Sequence, residues 1–230
     1  MILPYTTYKT SKALTVKAYN GAAPGAVPVA TAELAAGSSF RIALDNDPGA
    51  EQLQILPAND THGLYYRISR QQLGQDCVLT TDFSTAIYFY TPQEQPFGVF
   101  SNFSPHGFSH LGQYFATAEH YYQSEKFTDN TCKQQVIRAA TAKDAADLGK
   151  TQSIAIRPDW RLVKIEVMRT ALERKFATHA GIRDLLRSTG ERLLIENSPF
   201  DNFWGIGRTG AGKNHLGTLL MQLRATLPHQ

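Results

Sequence analysis

Only two cysteines occur in 230 residues, Cys77 and Cys132, with no C-x-x-C pair, too few for a disulfide scaffold and matched to a reducing compartment. The seven histidines are scattered, and none completes H-E-x-x-H or a Cys/His zinc spacing, so neither a metal nor another cofactor is indicated. No apolar run approaches the roughly 18 residues that a membrane span requires. The opening Met1-Ile2-Leu3-Pro4 lacks the basic and long apolar regions of a signal peptide, and the expected location is the cytoplasm. A strong charge bias is also missing. Formal charge is +3 overall, −1 over residues 1–86 and +4 over residues 87–230. Single charges screen within about 10 Å at ordinary salt, so this mild excess permits a phosphorylated or nucleic-acid ligand without forming a DNA-binding stripe.

With a hydrophobic fraction of 42%, the chain can build a sizeable core, and its length fits one large domain or a domain with an appendage. Composition shifts near residue 86. Residues 1–86 are rich in Ala, Thr, Gly and Pro and carry extended-looking stretches at Ala13–Tyr19, Ser39–Leu44, Leu64–Ile68 and Val78–Thr81. Turn signals at Asn20-Gly21, Asp47-Pro48-Gly49 and Asn59-Asp60 separate them, which describes a small β-rich module. No catalytic cluster lies in it. It serves either as a contact for a protein partner or as cover for a face of the second domain.

From Ile87 onward helical spacing dominates, so the fold class expected is α+β, with a compact, mainly helical domain over residues 87–230. Tyr88, Phe89 and Tyr90 lead as a strand into a loop from Phe97 to Phe103. Thr117 is placed to cap a helix running to about Phe127, because its hydroxyl can accept a free amide of the first turn. Ile165, Met168, Leu172 and Phe176 recur at helical spacing, with Gly181 as a stop, and Leu216, Leu219, Leu220, Leu223 and Leu227 do so before Pro228.

Two clusters carry chemistry. Glu119, Gln123 and Lys126 fall at i, i+4 and i+7, with Tyr122 on the same side, giving one polar helical face where a core face would be oily. Glu119 in the first turn meets free amides and the helix dipole, which favour its ionised form. An ordinary solvated Glu–Lys face is the alternative. The second cluster runs from Asp201 to Asn214 and places a carboxylate, the indole of Trp204 and Gly205, Gly207, Gly210 and Gly212 in one loop. Its G-x-G-x-x-G is not a dinucleotide fingerprint, since only twenty residues follow Gly210 and none is acidic. Its G-x-x-x-x-G-K has Asn214 where a phosphate loop needs a hydroxyl. The glycines instead allow backbone to approach a phosphate, with Arg208 and Lys213 adding charge and Asn214 capping the next helix, unless the segment is a plain surface turn.

Several separated blocks, taken in order, resemble the NADAR (YbiA-like) family. They are Phe89-Tyr90, Phe97 through Phe103, Thr117 through Gln123 with Lys126-Phe127, Arg157-Pro158-Asp159-Trp160, Met168 with Lys175-Phe176, and Asp201 with Trp204 through Gly212, Asn214, Leu216-Gly217 and Leu220-Met221. The resemblance implies an N-glycosidase without metal, acting on ribose attached to a nitrogenous base. It points to phosphorylated intermediates of riboflavin synthesis or to ADP-ribose on guanine in DNA. On matching positions it implies Glu119, Trp160, Asp201 and Trp204 as functional residues, with Asn102 and Lys126 near them. Tyr114-Phe115-Ala116 and Arg208-Thr209 depart from the usual pattern and bear on substrate choice.

The chemistry stands beside the resemblance. Breaking a ribosyl C–N bond builds positive charge on the sugar, which an ionised carboxylate stabilises while water is activated nearby. Glu119 is the expected water-activating carboxylate, and Asp201 the one that binds ribose hydroxyls or assists proton transfer. Trp160 and Trp204 are expected as binding walls, with core packing as the alternative, and Asn102 either meets a base edge or braces its loop. Two other functions fit the sequence: a module that uses the same residues to bind ADP-ribose or a nucleotide without cleaving it, and an interaction protein working through residues 1–86 with the pocket only as scaffold.

Overall fold

The computed structural model describes residues 6–20, 26–43, 51–58, 64–150 and 155–228, and the chain divides into units Met1–Ala86 and Ile87–Gln230. In the first, β1 (Thr7–Thr10), β2 (Leu14–Tyr19), β3 (Ala30–Leu34), β4 (Ser39–Ile42), β5 (Gln52–Pro57), β6 (Tyr65–Ser69) and β7 (Cys77–Leu79) form one sheet. Its order is β3-β2-β6-β5-β4-β1-β7, and every neighbouring pair is antiparallel. Alternation explains the packing. Leu14, Val16 and Ala18 of β2 turn inward while Thr15 and Lys17 face out, and Phe40, Ile55 and Ile68 complete the same core. Helix α1 (Arg70–Asp76) starts at a capping box in which the Ser69 side chain accepts from Gln72 N and the Gln72 side chain returns to Ser69 N, and it drops Leu73 onto the sheet. The turn signals at Gly21, at Asp47-Pro48-Gly49 and at Asn59-Asp60 lie outside the described residues, as does Leu44.

The second unit is α+β. It contains β8 (Ile87–Phe89), β9 (Phe108–His110), β10 (Gln113–Phe115), α2 (Ala118–Ser124), α3 (Asn130–Ile137) and α4 (Ala142–Leu148). There follow α5 (Trp160–Thr178), α6 (Ala180–Ser188), β11 (Leu194–Glu196) and α7 (His215–Thr226). β9 and β10 make a hairpin, and β11 runs parallel to β8 with Glu196 opposite Phe89. Helix α2 is the centre: all seven of its residues are buried, and it packs against α3, α4 and α5. Thr117 caps it by accepting from His120 N at 3.2 Å, while Nε2 of His120 donates to Ala139 O at 3.1 Å and ties α2 to the segment before α4. The ring of Phe100 meets Phe89 edge-on at a centroid distance of 5.8 Å and Phe176 at a tilt at 6.1 Å, joining all three in the core.

Two expected boundaries move. Helix α2 ends at Ser124, not near Phe127, because Phe127 leaves to bridge Ile156 and to pack with Val136 and Ala145. Gly181 does not stop α5: the helix ends at Thr178, His179 is the joint, and Gly181 lies within α6. Among the described residues no helix is long and apolar enough to cross a membrane.

Candidate active site

A pocket of about 890 Å³ opens in the second unit, and the buried α2 forms its floor. Glu119, only 4% exposed, lines it. The Asn102 amide donates to one carboxylate oxygen and the Gln123 amide to the other, and Asn102 O accepts from Glu119 N at 3.0 Å. Asn102 therefore braces the acid at backbone and side chain. Its loop is itself pinned by Lys175, fully buried, whose ammonium donates to Val99 O at 2.6 Å and Ser101 O at 2.8 Å. The first-turn position was expected to favour ionised Glu119, but burial outweighs it and raises the carboxyl to about 7. The Gln123 hydrogen bond and Lys126 oppose the shift, and Asp201 adds to it. A carboxyl that titrates near neutrality is suited to exchange protons with water or substrate.

Aromatic rings make the wall. Tyr122 stands between the indoles, 5.0 Å from Trp160 and edge-on to Trp204 at 5.4 Å, and all three line the pocket. Asp201 lines it too. Its Oδ1 accepts from Phe203 N and Trp204 N, both at 2.7 Å, so the carboxylate holds the turn that presents Trp204. Lys126, Lys143, Lys150, Arg161 and Lys164 also line the pocket, with Lys143 and Lys150 paired to Asp147 at 2.5 and 3.7 Å. Lys126 donates to Gly149 O at 3.0 Å, and burial holds its ammonium below the ordinary lysine value, with Glu119 pulling the other way. Lys164 lies 3.4 Å from the Phe203 ring centre, and burial followed by Lys213 lowers its proton affinity.

Residues 88–228 match the NADAR domain. The chain belongs to the NADAR family. An N-glycosidase of Nostoc punctiforme is 51% identical over 141 residues, which span 60% of this chain and 90% of that one. The N-glycosidase YbiA of Escherichia coli is 41% identical over 143 residues, 62% of this chain and 89% of YbiA. Its NMR structure superposes with a TM-score of 0.57 at 40% identity, covering 61% of this chain and 83% of that one. The chloroplastic riboflavin biosynthesis protein PYRR of Zea mays is 42% identical over 146 residues, 57% of this chain but 23% of its own length.

Within this NADAR domain Asn102, Glu119, Tyr122, Gln123, Lys126, Trp160, Asp201 and Trp204 converge on the pocket, whereas Gly205, Gly207, Arg208, Gly210, Gly212 and Asn214 do not line it. The glycine loop was expected to approach a phosphate; instead it packs on β11 and on itself. A Cβ at Gly205 would lie 2.7 Å from Glu196 O, and one at Gly212 2.4 Å from Gly205 O. Asn214 does not cap α7 with its side chain. It is buried with φ +52°, accepting from Glu196 N and donating to Leu194 O, both at 2.9 Å. Gly207 and Gly210 serve positive-φ turns, and Arg208 points to solvent.

Sequence reasoning missed Glu196 in the NADAR pocket. It ends β11, is 6% exposed, and its Oε2 is buried with no hydrogen-bond partner among the described residues. Burial raises its carboxyl to about 8, reinforced by the charges of Asp201, Glu119 and Glu94 and opposed by Lys175. The available signal was an acid directly after the apolar run Leu193-Leu194-Ile195. The lysines of α4 and α5 were missed as well, because a solvated helix face shows the same charges. Gly149 was missed for a steric reason: a Cβ there would meet the Gln123 amide at 1.9 Å.

Proposed function

We propose that this N-glycosidase hydrolyses the bond between a phosphorylated ribose and the nitrogen of an aminopyrimidine-type base. The glycosidase class rests on family membership and on relatives of that name at 41–51% identity. The finer reading is carried by one observation: an acid fixed by two amides shares one pocket with three aromatic rings and five cationic side chains. The lysines and Arg161, rather than the glycine loop, are the groups that would take the phosphate, and a relative named a riboflavin biosynthesis protein, matched over 23% of its length, supports seeking the base among riboflavin-pathway compounds.

Water between Glu119 and the anomeric carbon loses its proton to the carboxylate as the C–N bond opens. The anion also stabilises the oxocarbenium, whose charge exists only in the transition state. Asp201, held rigid by two backbone amides, orients the ribose hydroxyls through its second oxygen. Tyr122, Trp160 and Trp204 seat the sugar and base by their faces and exclude competing water. General base action of this kind is worth about 10²- to 10⁴-fold.

Purified protein is to be incubated with three compounds: a ribosylaminopyrimidine phosphate, its dephosphorylated form, and DNA bearing ADP-ribosyl guanine. Fast release from the first and slow release from the second is expected. Release from the DNA alone would move the substrate to ADP-ribosyl guanine, and tight binding without release from any would make the protein a reader.

A further inference from the structure

The fold gives Glu119 and Glu196 opposite hydrogen-bonding environments. Both oxygens of Glu119 accept amide protons, which favours the anion. Oε2 of Glu196 is buried and accepts none from the described residues. A buried carboxylate oxygen without donors is costly, and the carboxyl avoids that cost by keeping its proton. Its place is fixed by the loop that the glycines were expected to offer to phosphate. Glu196 N donates to Asn214 Oδ1 at 2.9 Å, Glu196 O accepts from Ile206 N at 3.0 Å, and bare Gly205 leaves room for Glu196 Cγ, which a Cβ would meet at 2.9 Å.

We propose that Glu196 is a catalytic general acid of this enzyme, delivering its carboxyl proton to the departing nitrogen as the glycosidic bond breaks. The assignment rests on the glycosidase reading above and deepens it. As the bond opens, its electron pair goes to nitrogen and takes up the proton of Glu196. Water adds to the anomeric carbon and yields a proton to Glu119, which returns it to solvent, and solvent reprotonates Glu196. Substrate plus one water gives ribose phosphate plus the free amine, with protons balanced. The charged groups facing Glu196 are Asp201 in its loop, Glu119 of α2, Glu94 before the 3-10 turn at Phe97–Phe100, and Lys175 of α5. Three are acids, and with burial they keep the carboxyl protonated up to about pH 8.

A leaving group that needs no proton separates this role from packing. The para-nitrophenyl ribofuranoside phosphate departs as a stable phenolate, whereas the ribosylaminopyrimidine phosphate does not. Glu196→Gln is expected to lose about 10²- to 10⁴-fold in kcat on the amine substrate and less than about tenfold on the nitrophenyl one. In wild-type enzyme kcat should fall above about pH 8 for the amine only, a measurement that needs no variant. Equal losses on both substrates, no loss on either, or the same alkaline fall with both would overturn the assignment while leaving the glycosidase reading intact. Wild-type protein that cleaves neither compound would take both down.

Discussion

Replacing Glu119 by Gln should make the protein less active and more stable. The side chain is 4% exposed, and its carboxyl is raised from the ordinary 4.5 to about 7. Below about pH 4.5 the acid is protonated in both folded and unfolded chains, so this group imposes no penalty. As pH rises, the unfolded chain ionises first, and native stability is lost progressively until the folded carboxyl also ionises near pH 7. At about 1.4 kcal/mol per tenfold change in proton affinity, the gap amounts to about 3 kcal/mol above pH 7. Gln is isosteric and neutral, and it can keep both neighbours if Asn102 or Gln123 turns its amide oxygen inward. Urea unfolding followed by indole fluorescence isolates the relevant unit, because Trp160 and Trp204 are the only tryptophans and both lie in it. Glu119→Gln is expected to exceed wild type by up to about 3 kcal/mol near pH 8 and to match it near pH 4. A variant less stable than wild type at pH 8 would refute the buried-charge account.

Further outcomes follow from the same geometry. Gly205→Ala forces a Cβ against Glu196 and should destabilise the second unit by about 1–3 kcal/mol with loss of turnover. Gly210→Ala, in open space but at φ +71°, should cost about 1–2 kcal/mol and leave kcat unchanged. The reverse ranking in paired unfolding and rate measurements would restore the glycine loop as a phosphate contact. Lys164→Ala should raise KM about tenfold or more with kcat within about twofold, and should weaken competition by inorganic phosphate; an unchanged KM removes it from the phosphate contacts.

Legibility in the sequence followed the strength of local rules. The Thr117 cap and the 3.6-residue period made α2 readable, and with it the shared face of Glu119, Tyr122 and Gln123. Strands β2, β4 and β6 were readable as extended stretches between turn signals, but β3 exposes four of its five residues at least partly and shows no inward stripe. The glycine loop misled because glycine is needed equally for approach to a ligand and for approach to another strand, and only the position of β11 decides between them. Glu196 was hidden because one acid after three apolar residues has no periodic signature. Its importance comes from burial and from Asp201 in the following loop, with Glu119 and Glu94 brought near by contacts distant in sequence.

The most direct measurement is single-turnover release of ribose phosphate from the ribosylaminopyrimidine phosphate by wild type and Glu119→Gln, side by side with excess enzyme. Wild type should release free base and ribose phosphate in equal amounts, and the Gln variant should do so at least about a hundredfold more slowly. A folded Gln variant that releases product at the wild-type rate would contradict the assignment of the pocket as the site of bond cleavage.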